Sequence, residues 1–194
     1  MTRVIAGVAR GRRLAVPPGD GTRPTSDRAR EGLFSSWQSI LGTLDGVRIA
    51  DLYAGTGAVG LEALSRGAAH ALLVEADARA ARTVRDNVRT LGLAGAEVRT
   101  GKAEQIVTGP APAVPYDLVF LDPPYGVTDE DLREILLTLR TQGWLTGHAV
   151  VTVERSTRGG EFGWPEGFEP LRSRRYGEGT LWYGHIASGP EDAS

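Results

Sequence analysis

The chain has 194 residues, an apolar share of 41% and a formal charge of −2, which is enough for one substantial core and too apolar for a disordered chain. It contains no cysteine, and His70, His148 and His185 are far apart, so disulfides, thiolate metal sites, zinc clusters and a Ser-His-Asp order are excluded. With no signal-peptide pattern and no apolar run of spanning length, a soluble cytoplasmic protein without a metal is expected, a monomer by default for this size.

The near-neutral charge conceals an asymmetry. Residues 1–35 carry seven arginines against three acids, +4, and the remainder is −6. A basic arm suits a phosphate backbone, although a solvated face explains the charge equally well.

The first predicted element is a β-hairpin. Arg3-Val4-Ile5-Ala6 and Arg13-Leu14-Ala15-Val16 flank a polar middle containing Gly7 and Gly11. Pro17-Pro18-Gly19-Asp20-Gly21 breaks it into a loop. A helix starts near Thr25 or Ser26, with Leu33, Phe34, Trp37, Ile40 and Leu41 as its apolar stripe. Strands and helices then alternate. Val47 to Ala54 predicts a strand, Ala58 to Ser65 a helix ended by Gly67, and Ala71 to Val74 a second strand. Asp77 caps a helix with Ala80, Val84, Val88 and Leu91 on one face; Ala96 to Thr100 is a short strand. Tyr116 to Leu121 is a buried strand, and Thr128 to Asp131 resembles a capping box before Leu132, Ile135, Leu136 and Leu139. His148 to Val153 is the next strand. Phe168–Arg174 and Thr180–Ile186 form a closing hairpin through Tyr176-Gly177-Glu178-Gly179. This order predicts a mostly parallel α/β sheet closed by an antiparallel hairpin. The tail after Ser188 is polar and expected to fray.

Two strand ends carry the chemistry, where open α/β sheets bind ligands. Asp51-Leu52-Tyr53-Ala54-Gly55-Thr56-Gly57-Ala58-Val59-Gly60 leads from the first core strand into its helix. Gly55 and Gly57 permit a tight turn and close backbone approach, and Gly60 lets helix and strand pack closely. Glu75 ends the next strand, placed to accept from both hydroxyls of a ribose. This spacing also fits a dinucleotide fingerprint. A nicotinamide enzyme needs a hydride partner and usually a second domain, and neither is evident. S-adenosylmethionine needs acidic groups for its ammonium and ribose, which Asp51 and Glu75 supply. The Ala103 amide, after the third strand, is placed to read an adenine edge, although Lys102 and Glu104 beside it equally suit a solvated short helix.

Asp122-Pro123-Pro124-Tyr125 ends the strand at Leu121. The prolines lock φ twice and remove two donors. An acceptor-only carboxylate, free carbonyls and an aromatic face within four residues suit holding a flat base by its exocyclic amine; the bland alternative is a stiff surface turn.

A glycine turn, an acid after the next strand and Asp-Pro-Pro-Tyr after the fourth resemble the class I S-adenosylmethionine-dependent methyltransferases that act on exocyclic amines. Arg3-Val4-Ile5-Ala6-Gly7, Gly11-Arg12-Arg13-Leu14 and the stretch from Arg23-Pro24-Thr25 to Leu33-Phe34 narrow this. They are similar to the RsmD family of bacterial 16S ribosomal RNA guanine-N2 methyltransferases, over about residues 2 to 186. Tyr53 stands where such enzymes often have Phe. The resemblance implies a Rossmann-like fold with a seven-stranded, mostly parallel sheet. It divides the chain into an RNA-binding hairpin extension (1–22), a methyltransferase domain (23–188) and a tail (189–194). It implies catalysis by Asp122, Pro123 and Tyr125, with S-adenosylmethionine held by Asp51, Tyr53, Gly55, Gly57, Glu75, Ala103 and Asp122. It also implies 16S rRNA, in a small subunit or its assembly intermediate, held by Arg10, Arg12, Arg13, Arg23, Thr25, Arg28, Pro124 and Tyr125. Arg30 is expected among these phosphate contacts, unless it and Arg28 pair locally with Glu31 or Asp27. The rivals are an adenine-N6 methyltransferase, a nicotinamide-dependent oxidoreductase and a catalytically silent RNA-binding factor.

Overall fold

Backbone demand explains how the chain begins in the computed structural model, which describes residues 2–17 and 26–187. Strand β1 (Thr2–Arg3) pairs antiparallel with β2 (Arg13–Leu14), in register Thr2↔Leu14. The expected four-residue strands shrink to two residues each because the intervening backbone finds partners on helices. The Val8 amide donates to the Ser65 carbonyl and the Ala9 amide to Ser65 Oγ, while Ser65 Oγ donates to the Ala6 carbonyl. Gly7 has φ +81°, and a Cβ there would lie 1.8 Å from the Ser65 carbonyl oxygen, so only glycine fits. The Ala15 amide and carbonyl both bond the Asn87 side chain instead of a ladder.

The chain divides into two compact units, Met1–Ile106 and Val107–Ser194. In the first, α1 (Asp27–Leu41) starts at Ser26, whose side chain accepts from the Ala29 amide; it buries Leu33, Phe34 and Trp37. Strands β3 (Arg48–Asp51), β4 (His70–Glu75) and β5 (Ala96–Thr100) are parallel, with β4 central. Between them run α2 (Ala58–Ser65) and α3 (Ala78–Leu91), the latter capped by Asp77 accepting from the Arg79 and Ala80 amides. The short α4 (Ala103–Val107) follows β5.

The second unit holds β6 (Tyr116–Leu121), α5 (Asp129–Thr141), β7 (Leu145–Ser156), β8 (Phe168–Tyr176) and β9 (Gly179–Ile186). Strand β7 pairs parallel with β6 and antiparallel with β9, which pairs antiparallel with β8. Pro170 lies on the edge strand β8 at a register shift, where its missing N–H interrupts little of the ladder. The strands belong to a seven-stranded, mostly parallel sheet of order β5-β4-β3-β6-β7-β9-β8. This is the class I methyltransferase architecture expected from the sequence, with the extra two-stranded hairpin at the start. Arg23, Pro24, Thr25 and the tail after Ala187 lie outside the described residues. Among the described residues no helix is long and apolar enough to cross a membrane, and no cluster of three or more His, Cys, Asp or Glu is placed to hold a metal.

One pH effect follows from the first unit. His70 is partly buried opposite Arg48 in the ladder. Burial foremost, then the Arg48 charge and more weakly Arg99, hold its pKa below the ordinary histidine value, against the opposing pull of Glu97 at 3.6 Å. The unfolded chain therefore binds the proton more readily. Stability declines as pH falls from about 6.5 toward the lowered folded value, then levels for this group. Urea midpoints at pH 7.5, 6.5 and 5.5 read this, and His70→Gln should flatten that segment of the profile.

Candidate functional site

The glycine turn is shaped by its own dihedrals. Gly55 has φ +56° and Gly57 φ +79°, left-handed values that favour glycine at both positions. The turn is pinned by Ala54 N–H to the Val74 carbonyl (2.8 Å) and by Gly57 N–H to the Ala54 carbonyl (2.7 Å). A Cβ on Gly55 would meet nothing within 4 Å, so the backbone here borders open space. At Gly60 a Cβ would lie 2.5 Å from Leu73 Cδ2, the close helix–strand packing expected from the sequence.

Both acids of this half are oriented by backbone amides. Glu75 Oε2 accepts from Gly55 N–H at 2.9 Å and Oε1 from Asp77 N–H at 2.8 Å. Each oxygen keeps a further lone pair, so the carboxylate is fixed against the glycine turn and still able to accept from a ribose. Asp51 is 1% exposed, and its Oδ2 accepts from Gly60 N–H in the first turn of α2 at 3.3 Å. A carboxylate there is favoured by the helix dipole. Tyr53 is half-buried between the two acids in sequence, and buried Ala103 opens α4, where a first-turn amide has no intrahelical acceptor. The open face at Gly55 and the amide-held Glu75 fit an adenosine-type cofactor.

In the second unit, Asp122-Pro123-Pro124-Tyr125 leaves the end of β6. Asp122 and Pro123 are half-buried and Pro124 is exposed. Tyr125 is 96% exposed, an aromatic face wholly presented to solvent. The turn is held at its far end. Val127 N–H donates to the Pro124 carbonyl (3.1 Å), and Thr128 and Asp131 complete the capping box of α5. These Thr128 bonds hold the Asp131 carboxyl below the usual carboxylate range. Arg155 on β7 pairs with Asp129 at 2.7 Å, tying the start of α5 to the strand beside β6. Nothing local in the sequence marks Arg155 or Asp129 as supports of this turn, because the pair joins residues 26 positions apart.

The arginines divide by partner. Arg10, Arg13 and Arg28 are exposed. Arg12 is also on the surface, yet its guanidinium donates to the carbonyls of Leu91 (3.1 Å) and Thr90, the last turn of α3. It thereby caps the carbonyls that a helix end leaves unpaired. Arg30 takes the local alternative, a pair with Asp27, and not a phosphate contact. It is 1% exposed and lies 3.0 Å from both Glu62 and Asp27. Glu62, fully buried in α2, also takes Arg66 at 2.6 Å and the Ile5 amide at 3.2 Å. Its signal in the sequence was a lone carboxylate inside the apolar run of α2. Asn87 also passed unremarked. Besides its bonds to Ala15, its Nδ2 donates to the Thr56 carbonyl at 2.9 Å, linking the N-terminal segment to the glycine turn. A poor helix former on the buried face of α3 was the available hint.

The family model described as Conserved hypothetical protein 95 matches residues 2–185. The chain is 38% identical over 160 residues to the "Ribosomal RNA small subunit methyltransferase D" of Escherichia coli, covering 81% of this chain and 76% of that protein. Its namesake from Haemophilus influenzae is 36% identical over 155 residues, covering 78% and 77%. Among solved structures, "Putative methyltransferase yhhF" from Escherichia coli aligns with a TM-score of 0.83 at 32% identity, over 95% of this chain and 97% of that one. A match along nearly the whole chain, relatives above 30% identity and a shared fold together mean that the chain belongs to the RsmD family.

Proposed function

We propose that this protein transfers a methyl group from S-adenosylmethionine to the exocyclic N2 amine of one guanine in small-subunit ribosomal RNA. Methylation of small-subunit rRNA is the activity named for the Escherichia coli relative. The observation that carries the reading in this chain is the acceptor turn itself: Asp122 and two prolines followed by a 96% exposed Tyr125.

Bound S-adenosylmethionine supplies an electrophilic methyl on its sulfonium. Glu75 accepts from the ribose hydroxyls, and Gly55 and Gly57 allow the backbone to approach. Asp51 and Tyr53 line the amino-acid end, and the Ala103 amide reads the adenine edge. The guanine amine is a poor nucleophile because its lone pair is delocalised into the ring. The Asp122 carboxylate accepts one amine hydrogen and the Pro123 carbonyl the other, which localises the pair on nitrogen. With the donor bound, the N–C bond would form from that pair as the methyl–sulfur bond breaks, and the surplus proton of the methylated amine would pass to solvent. Pro124 stiffens the turn, and Tyr125 stacks on the base, worth roughly 1–3 kcal/mol. The base must lie in a loop or be flipped out of its stack. Arg10, Arg13, Arg23, Thr25 and Arg28 hold phosphates, and Arg12 anchors the hairpin that carries two of them.

The test is transfer of a labelled methyl to small-subunit particles and to free 16S rRNA, followed by mapping of the modified nucleotide. One N2-methylguanine is expected. Label on an adenine N6 would support the rival base specificity, which the acceptor turn serves equally well. An absence of transfer to either RNA would overturn the proposal.

A further inference from the structure

Helix α3 carries four arginines that neither the donor nor the acceptor half uses. Arg79, Arg82, Arg85 and Arg89 recur at intervals of three, three and four, so they share one face, and all four are exposed. The opposite face buries Ala80, Ala81, Val84, Asn87 and Leu91. Against these four charges the helix has one acid, Asp86, which pairs with Arg89. Arg85 donates to Thr100 Oγ1 at 2.8 Å and keeps its other donors. Arg79 and Arg82 have no ion pair among the described residues. Arg99, Arg133 and Arg155, by contrast, are each paired with a carboxylate.

A second contact set makes this stripe more than a solvated face. Arg12 is fastened to the Thr90 and Leu91 carbonyls, and Ala15 is fastened to Asn87. Residues 12–15 therefore lie along the last turns of α3, which sets exposed Arg13 at the end of the arginine row. The other end begins at Asp77, whose amide is held by Glu75, the acid assigned to the ribose. A helix of 14 residues spans about 21 Å, so the row runs from the cofactor acid to the hairpin.

We propose that this face of α3 is an RNA-binding track, on which Arg79, Arg82, Arg85 and Arg89 neutralise successive phosphates between the Glu75 end of the helix and the hairpin. Guanidiniums spaced along one helix face match a polyanionic backbone, and contacts to phosphate position an RNA without reading its bases. The inference rests on ribosomal RNA being the substrate.

The experiment measures binding of transcribed 16S rRNA across a salt series for the full chain, an Arg79→Ala/Arg82→Ala/Arg85→Ala variant and an Arg133→Ala/Arg140→Ala/Arg158→Ala control. Each lost phosphate contact flattens the slope of log K against log salt by about 0.7–0.9, so the α3 variant should lose about 2–3 units of slope and bind more weakly at every salt. The control should keep the wild-type slope. Alanine retains the helix, and unchanged thermal unfolding checks this. A wild-type slope in the α3 variant, or equal flattening in the control, overturns the track while wild-type methyl transfer leaves the functional reading standing. A wild-type chain that neither binds nor methylates the RNA overturns both.

Discussion

Asp122→Ala is expected to lower kcat for methyl transfer by about 10²–10³, the rate equivalent of losing one preorganised polar contact, about 3–4 kcal/mol. Half-buried at the end of β6 and followed by two prolines, Asp122 is held without a flexible segment between strand and amine. The loss should fall on kcat more than on KM for RNA, because in the proposed mechanism Tyr125 and the arginines would still bind the substrate in the ground state. Binding of S-adenosylhomocysteine should change far less than kcat, since the glycine turn and Glu75 remain. Glu75→Ala should behave oppositely. It weakens S-adenosylhomocysteine binding first, because it removes the ribose acceptor and frees the Gly55 amide it holds at 2.9 Å. Single-turnover rates and isothermal titration separate the two patterns. An Asp122→Ala enzyme with full activity would falsify the mechanism.

The second large effect is on stability. Glu62→Ala should cost about 3–5 kcal/mol, the usual consequence of removing one partner of a buried ion pair. Arg30 is 1% exposed and its guanidinium lies 3.0 Å from Glu62, so the charge would remain buried. Arg66 would lose its 2.6 Å partner, and the Ile5 amide its acceptor. For a chain of this size each kcal/mol shifts Tm by about 2–4 °C, so a drop of roughly 6–20 °C is expected. Glu130→Ala, which breaks the exposed pair with Arg133, should move Tm by only a degree or two. A double variant, Arg30→Met with Glu62→Leu, should recover part of the loss, since it removes the buried Arg30 charge, while Arg66 and the Ile5 amide still lack their partner. A Glu62→Ala protein as stable as the wild type would remove the buried ion pair from the account of this fold.

Sequence and structure agree where the signal is local. Strands Ala96–Thr100 and Tyr116–Leu121 have the bounds read from the sequence. The helix caps at Ser26, Asp77 and Thr128 fall where short polar side chains precede apolar spacing. Strand β7 runs Leu145–Ser156, longer than the His148–Val153 run suggested, because Tyr116 pairs with Leu145 and Gly179 with Ser156 across the ladder. The N-terminal hairpin errs the other way, since Ser65, Glu62 and Asn87 take backbone bonds that a longer ladder would have needed.

The arginines mark the division most clearly. By charge alone Arg12, Arg13 and Arg30 belong to one basic arm, with local pairing an alternative for Arg30. The structure makes one a helix cap, exposes one and buries one. Those roles depend on partners remote in the chain, Leu91 lying 79 positions from Arg12. The sequence by itself determined the order of strands and helices, the left-handed glycine turn and the rigid Asp-Pro-Pro-Tyr at a strand end. Periodicity, proline and positive φ act within a few residues, so they are written in the chain locally. Only the tertiary structure decided which charges are neutralised inside the protein, which amides hold Glu75, and that the arginines of α3 run to the hairpin. Those outcomes arise when distant segments compete for the same hydrogen bonds, and a linear sequence does not record who wins.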